Sequence, residues 1–254
     1  MIVGIIPARF ASTRLMGKPL ADIGGKPLIQ HTYESASKSK LIKKFLIAVD
    51  DKKVEEVCRG FGAEVVLTAK EFGTGSDRIA HVINNMEEAE IIVNIQGDEP
   101  FISSNMIDQA IEPLLFDKSV NVVTLVKRIE NVKELKSPDV VKVVFDYNNY
   151  AMYFSRAVIP FVRDALSKEI AIEKTEYYKH IGLYVYRREA LLKFTNFKPT
   201  DLEKTEKLEQ LRMLENGFKI KVVVTDIESI GVDTPKDLKR ARAYYTWLQG
   251  REEK

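Results

Sequence analysis

The sequence predicts an α/β fold with a doubly wound, mostly parallel sheet and an inserted antiparallel subregion. Short Val- and Ile-rich runs recur through the first half, helical patterns lie between them, and from about residue 121 the strands become longer and alternate. The runs Ile2 to Ile6, Phe45 to Val49, Glu64 to Leu67 and Ile91 to Ile95 are almost uniformly apolar, as strands are when βα crossovers cover a parallel sheet on both faces. Helices are predicted between and after them, over Leu28 to Ser37, Lys53 to Gly62, Ser76 to Met86 and Asn105 to Leu115. The alternating runs Val122 to Val126, Val140 to Phe145, Ala151 to Phe154 and Ile181 to Tyr186, interrupted by a charged stretch Arg163 to Lys179, read as the antiparallel insertion, about 121–200. One helix is expected from Thr200. Thr200 and Glu203 make a capping box, Leu208, Leu211 and Leu214 give an apolar stripe, and Gly217 ends it left-handed. A strand Ile220 to Thr225 follows, and Thr234, Pro235 and Asp237 open a last helix to about Gln249. With no internal repeat, low-complexity tract or flexible linker, residues 1–254 read as a single domain.

Composition narrows the classes. The chain has 254 residues, 45% hydrophobic and 30% charged, enough to bury a sizeable core. Its 39 basic and 37 acidic side chains nearly cancel, so bulk charge does not argue for a nucleic-acid partner. Cys58 is the only cysteine, which excludes an intrachain disulfide and a cysteine-built zinc site and fits a reducing cytoplasm. The opening MIVGIIPAR has no basic n-region, and no segment approaches the roughly 18 apolar residues of a membrane span, so neither export nor a membrane anchor is expected.

The loop after the first strand, Pro7 to Leu20, carries Arg9, Arg14 and Lys18 and no acid. In an open α/β sheet the ligand crevice lies beyond the carboxyl ends of the strands. Like charges gathered there repel one another unless an anion is bound, so the loop is a candidate polyphosphate site, with Ser12, Thr13 and backbone N–H groups as neutral donors. The alternative is a solvated basic loop. The pattern is neither Gly-x-Gly-x-x-Gly nor a P-loop, which argues against a dinucleotide oxidoreductase and a P-loop kinase. Two carboxylates fall at strand-to-helix junctions, Asp98 in Asn94 to Pro100 and Asp233 in Gly231-Val232-Asp233. Together with substrate phosphate they would hold Mg²⁺, which keeps waters and seldom needs a full protein cage; each is otherwise a turn or capping acid.

Seven motifs then carry a resemblance across nearly the whole chain. They are Ile6 to Arg9 with Ser12 to Leu15 and Gly17 to Leu20; Gly73 to Arg78; Asn94 to Pro100; Tyr153 to Arg156 with Ile159-Pro160; His180 to Tyr184; Glu206 to Arg212; and Gly231 to Pro235. In this order the sequence resembles the nucleotide-sugar cytidylyltransferases, in particular those acting on the acid sugar 3-deoxy-manno-octulosonate (KDO). Met16, where proline is usual, and Ser76, where threonine is common, are its small departures. The resemblance implies a Rossmann-like nucleotidyltransferase fold, transfer of CMP from CTP to the anomeric hydroxyl of KDO for lipopolysaccharide synthesis, a Mg²⁺ requirement and a homodimer.

Carried over by motif, it implies nucleotide binding by Ala8, Arg9, Ser12, Arg14, Lys18, Thr74, Ser76 and Gln96. The sugar would be met by Arg78, Gln96, Arg156, His180, Tyr184, Glu209 and Gln210, and the metal by Asp98 and Asp233. Chemically, Lys18 and Arg14 suit a departing pyrophosphate, and Arg156 or Arg78 a planar carboxylate. By the same resemblance the dimer uses Ala151 to Ile159 and Arg163 to Lys179. Two alternatives stay open: a related nucleotidyltransferase with another sugar or nucleotide, and a non-catalytic nucleotide-binding regulator.

Overall fold

The computed structural model describes residues 1–11, 14–165 and 167–252. The chain begins with β1 (Ile2–Ala8), a 3-10 turn Lys18–Leu20, β2 (Asp22–Ile23), β3 (Lys26–Pro27), α1 (Leu28–Ala36), β4 (Lys44–Val49) and α2 (Lys52–Gly60). It continues with β5 (Val65–Leu67), α3 (Gly75–Asn84), β6 (Ile91–Asn94), α4 (Ser104–Phe116), β7 (Val122–Arg128), α5 (Val132–Lys136), β8 (Lys142–Phe145) and β9 (Ala151–Ser155). The last part holds α6 (Lys168–Lys174), β10 (Tyr178–Arg187), α7 (Arg188–Thr195), α8 (Asp201–Glu206), α9 (Gln210–Glu215), β11 (Ile220–Val224) and α10 (Pro235–Glu252). These elements form two units, Met1–Asp108 with Ser229–Lys254, and Gln109–Glu228.

In the first unit four parallel strands run in the order β6-β1-β4-β5. Ile5 pairs with Leu46 on one side and Asn94 on the other. Val3, Ile5 and Ile6 have no exposed surface although neighbouring strand residues point to opposite faces, so both faces of β1 are covered. Each such side chain contributes about 1.5–3 kcal/mol by leaving water. Helix starts are fixed by short polar caps. Asp51 accepts a bond from the Lys53 N–H, and Thr74 and Asp77 form a reciprocal capping box on α3.

In the second unit β7 pairs parallel with β11 and antiparallel with β10, which in turn pairs with β8, and β8 with β9. The mostly parallel sheet and the antiparallel insertion expected above are both present. Strand β10 bulges: Ile181 opposes Leu125, but Tyr184 opposes Thr124. The Thr124 hydroxyl donates to the Leu183 carbonyl at 2.8 Å across this bulge, which re-aims Tyr184.

The single helix expected from Thr200 is corrected to two. Lys207 adopts the left-handed conformation (φ 55°) between α8 and α9, while Gly217 is left-handed (φ 76°) as expected. Helices α5 and α7 were not anticipated, and α6, capped by Ser167, lies inside the charged stretch Arg163 to Lys179. Among the described residues no helix is long and apolar enough to cross a membrane.

Candidate active site

Beyond the carboxyl end of β1, an open cavity of about 430 Å³ is lined by Pro7, Ala8, Arg9, Ala11, Arg14, Lys18, Pro19, Gly75, Gln96, Gly97, Asp98 and Asp233. Its size suits a nucleotide-scale ligand. Local geometry explains the placement of Lys18. Gly17 is left-handed (φ 64°), its N–H closes the basic loop onto the Phe10 carbonyl at 3.2 Å, and Pro19 stiffens the 3-10 turn that follows. Asp98 follows Gly97, where a Cβ would lie 2.9 Å from the Pro7 carbonyl oxygen; only glycine lets β6 run out this close to the end of β1. The Val232 N–H donates to the Asp98 carbonyl at 2.8 Å and so ties the segment before α10 to the end of β6.

Capping and site roles separate at Asp233. The cap of α10 is Thr234 with Asp237: each backbone N–H is taken by the other's side chain, at 3.0 and 3.2 Å. The Asp233 carboxylate is thereby left to face the cavity. The Lys18 ammonium donates to Asp98 Oδ2 at 2.7 Å and to Asp233 Oδ1 at 3.0 Å, and Arg14 Nη2 lies 3.2 Å from Asp233 Oδ2. Burial works against the charge of Lys18, but Asp98 first and Asp233 second overcome it and hold its pKa above the usual 10.5. Beside them, burial pushes the Glu99 carboxyl up to about 7; Ser229 donates to it at 2.6 Å and opposes the shift, and Asp98 adds to it.

The other predicted nucleotide residues divide. Arg9 Nη2 donates to the Phe72 carbonyl at 2.7 Å, and Gln96 Nε2 to Asn94 Oδ1 at 3.2 Å, both at the cavity wall. Ala8 lines the cavity, Thr74 uses its hydroxyl to cap α3, and Ser76 is buried in the first turn of that helix. Ser12 and Thr13 lie outside the described residues. Arg78 lies deeper than its expected sugar-binding role called for. It is fully buried, paired with Asp50 at 3.1 Å and bonded to the Thr68 hydroxyl and Ala69 carbonyl, so its guanidinium terminus is committed inside the protein rather than open to a sugar carboxylate.

In the second unit, Arg156 is also committed. Its Nε donates to the Glu206 carbonyl at 2.7 Å and its Nη1 to the Pro138 carbonyl at 2.9 Å, so it braces main chain instead of pointing a free fork at an anion. His180, Tyr184, Glu209 and Gln210 behave differently. Burial pulls the His180 pKa down to about 3, so the imidazole is neutral. Since the Thr124 hydroxyl proton goes to Leu183, the network assigns the hydrogen at His180 Nε2, 3.0 Å from Thr124 Oγ1. The His180 and Tyr184 rings lie 5.3 Å apart, and burial together with Glu209 raises the Tyr184 pKa well above 10. Gln210 Nε2 is buried with no hydrogen-bond partner. Such a group costs about 1–3 kcal/mol, a cost that a polar ligand would offset.

Sequence reasoning overlooked Asp50, which accepts from the Phe10 N–H at 3.0 Å and from Arg78, and so couples the basic loop to the end of β4. It also passed over Glu206 as an individual residue. An acid directly after a buried strand, as in Ala48-Val49-Asp50, was the available signal for the first.

A parallel sheet whose strand ends gather basic side chains and two converging carboxylates defines a nucleotidyltransferase. The cytidylyltransferase family model matches residues 3–222. The 3-deoxy-manno-octulosonate cytidylyltransferase of Geobacter sulfurreducens is 51% identical over 243 residues, 94% of this chain and 97% of that protein. A solved CMP:2-keto-3-deoxy-manno-octonic acid synthetase complexed with CTP is 37% identical, with a TM-score of 0.90 over 97% of this chain and 99% of that one. A putative glucose-1-phosphate thymidylyltransferase from Bacillus anthracis, 18% identical with a TM-score of 0.67 over 96% and 95%, shares the fold. The chain belongs to the cytidylyltransferase family and, within it, to the 3-deoxy-manno-octulosonate cytidylyltransferases.

Cytidylyltransferases of this kind work with a divalent metal. The residues present fit one. Two hard carboxylate oxygens, brought together from distant parts of the chain, converge on one cationic centre, here the Lys18 ammonium. Among the described residues no cluster of three or more His, Cys, Asp or Glu side chains could hold a metal. The remaining positions of such an ion would fall to phosphate oxygens and water.

Proposed function

We propose that this enzyme transfers CMP from CTP to the anomeric hydroxyl of KDO, releasing pyrophosphate and supplying activated KDO for lipopolysaccharide synthesis. The observation that carries the reading is the convergence of Asp98 and Asp233 at the mouth of the cavity lined by Arg9, Arg14 and Lys18. The sugar oxygen bonds to the α-phosphorus, the bond from that phosphorus to the bridging oxygen of pyrophosphate breaks, and the hydroxyl proton passes to solvent. Bound by Asp98 and Asp233, Mg²⁺ would supply charge neutralisation at phosphate and a lowered pKa for an attached hydroxyl.

The protein's own groups do the rest. Arg9, braced on Phe72, orients the triphosphate, and Lys18 and Arg14 offset the charge of the departing pyrophosphate. Ala8, Gln96 and the first turn of α3, with Thr74 and Ser76, shape the nucleotide pocket. His180, Tyr184, Glu209 and Gln210 take the sugar hydroxyls and carboxylate. With a pKa near 3, His180 is too weak a base to collect the hydroxyl proton at neutral pH and acts as a neutral hydrogen-bonding group. A homodimer and a cytoplasmic setting belong to the same proposal. Exposed Met152 (65%) and Phe161 (76%), in and just beyond the Ala151 to Ile159 segment, support the dimer.

Pyrophosphate release measured with CTP, UTP or ATP, each with and without KDO, tests the assignment. The expected result is turnover only with CTP, KDO and Mg²⁺ together; release that ignores KDO, or runs equally with UTP, rejects it.

A further inference from the structure

The break between α8 and α9 is held by residues half a hundred positions earlier in the chain. Lysine in the left-handed region carries a steric penalty of about 1–2 kcal/mol that glycine does not, and the turn's own bonds, from the Lys207 and Leu208 N–H groups to the Glu203 carbonyl, are joined by support from outside it. Ser155 and Arg156, at the end of β9, provide it. The Ser155 hydroxyl donates to Glu206 Oε1 at 2.6 Å and the Arg156 N–H to Oε2 at 3.0 Å. The Arg156 side chain then grips the main chain of the turn itself, at the Glu206 carbonyl (2.7 Å) and the Lys207 carbonyl (3.5 Å). Both oxygens of one carboxylate and both carbonyls of the break are thus tied to β9.

Two residues past the break, Glu209 precedes and Gln210 begins α9, where Glu209 lies close enough to Tyr184 to raise its pKa. Had α8 run on as an unbroken helix, as the capping box and leucine stripe predict, each residue after Lys207 would take a different direction. We propose that Glu206 is a positioning residue for the sugar acid: locked by Ser155 and Arg156, it sets the left-handed break at Lys207 and hence the direction in which Glu209 and Gln210 face their ligand. The proposal rests on the KDO reading above. It assigns Arg156 a bracing task at this turn.

The test is a second-site rescue. Glu206→Ala removes the lock, and Lys207→Gly removes the need for it, because glycine enters the left-handed region without help. With CTP, KDO and Mg²⁺, Glu206→Ala should raise KM for KDO about tenfold or more and leave KM for CTP within about twofold, and the Glu206→Ala/Lys207→Gly double variant should recover most of that loss. Equal increases in both KM values, or a double variant no better than the single, overturns the proposal. If Glu206→Ala does not fold, Ser155→Ala with and without Lys207→Gly makes the same comparison through one lost hydroxyl. Amide exchange over residues 207–211 gives a readout independent of the sugar: faster in the single variant, restored in the double. Unchanged exchange in Glu206→Ala refutes the lock. Wild-type turnover indifferent to KDO strikes the functional reading and leaves the exchange result to decide the lock.

Discussion

Asp98→Asn keeps the shape of the side chain and removes its charge. In the wild type, Lys18 is 18% exposed and holds Asp98 Oδ2 at 2.7 Å, with Asp233 Oδ1 at 3.0 Å as its second acceptor. A charged hydrogen bond of this kind contributes about 1.5–3 kcal/mol, and the amide oxygen still accepts, so roughly 1–2 kcal/mol of stability is lost. For a chain this long that lowers Tm by only a few degrees, about 2–8 °C. Turnover suffers far more. On the function proposed above the carboxylate is one of two that would meet the cation at the reacting phosphate, and deleting one preorganised electrostatic group of this sort costs about 10²–10³ in kcat. Lys18 does not blur the measurement. Its folded pKa lies above 10.5, so its stabilising contribution is complete below 10.5, is lost only as pH rises through the folded value, and is constant across neutral pH. Initial rates of pyrophosphate release at saturating CTP, KDO and Mg²⁺, with a melting curve on the same sample, separate the two effects. A kcat within tenfold of wild type refutes the assignment of Asp98.

Two further outcomes follow from the same geometry. Gly97→Ala places a Cβ 2.9 Å from the Pro7 carbonyl, so it should cost about 1–3 kcal/mol in urea unfolding and lower kcat by displacing Asp98, whereas Gly60→Ala, with nothing within 4 Å, should do neither. His180 has its pKa lowered from 6.5 to about 3, so its stabilising contribution is full above pH 6.5 and drains away as pH falls toward 3. Urea titrations should therefore show wild type losing about 1.4 kcal/mol per pH unit relative to His180→Gln below pH 6.5, and parallel curves would contradict the buried, neutral imidazole.

What the sequence made legible was whatever local periodicity or a local cap controls. The all-apolar run at Ile2 to Ile6 could only be a covered strand, and Thr234 with Pro235 and Asp237 announced the start of α10. The break at Lys207 was illegible because its cause is remote: nothing in Glu206-Lys207-Leu208 signals a left-handed residue until Ser155 and Arg156 are brought against it. The partners of the two arginines were illegible for a related reason. The charge and spacing of the arginines suit a carboxylate, but Asp50 consumes Arg78 and a set of carbonyls consumes Arg156, and neither partner is near in sequence. Lys18, Asp98 and Asp233 were picked out by their places at strand ends, and only the Val232 to Asp98 backbone bond explains how residues so far apart meet.

That backbone bond has a bearing on biosynthesis. The acid at 98 leaves the ribosome long before the acid at 233, and the two stand side by side only once the final helix has docked. A nascent or prematurely released polypeptide therefore possesses the basic loop and half of the acid pair. Any chemistry that needs both acids therefore waits for the last stretch of translation.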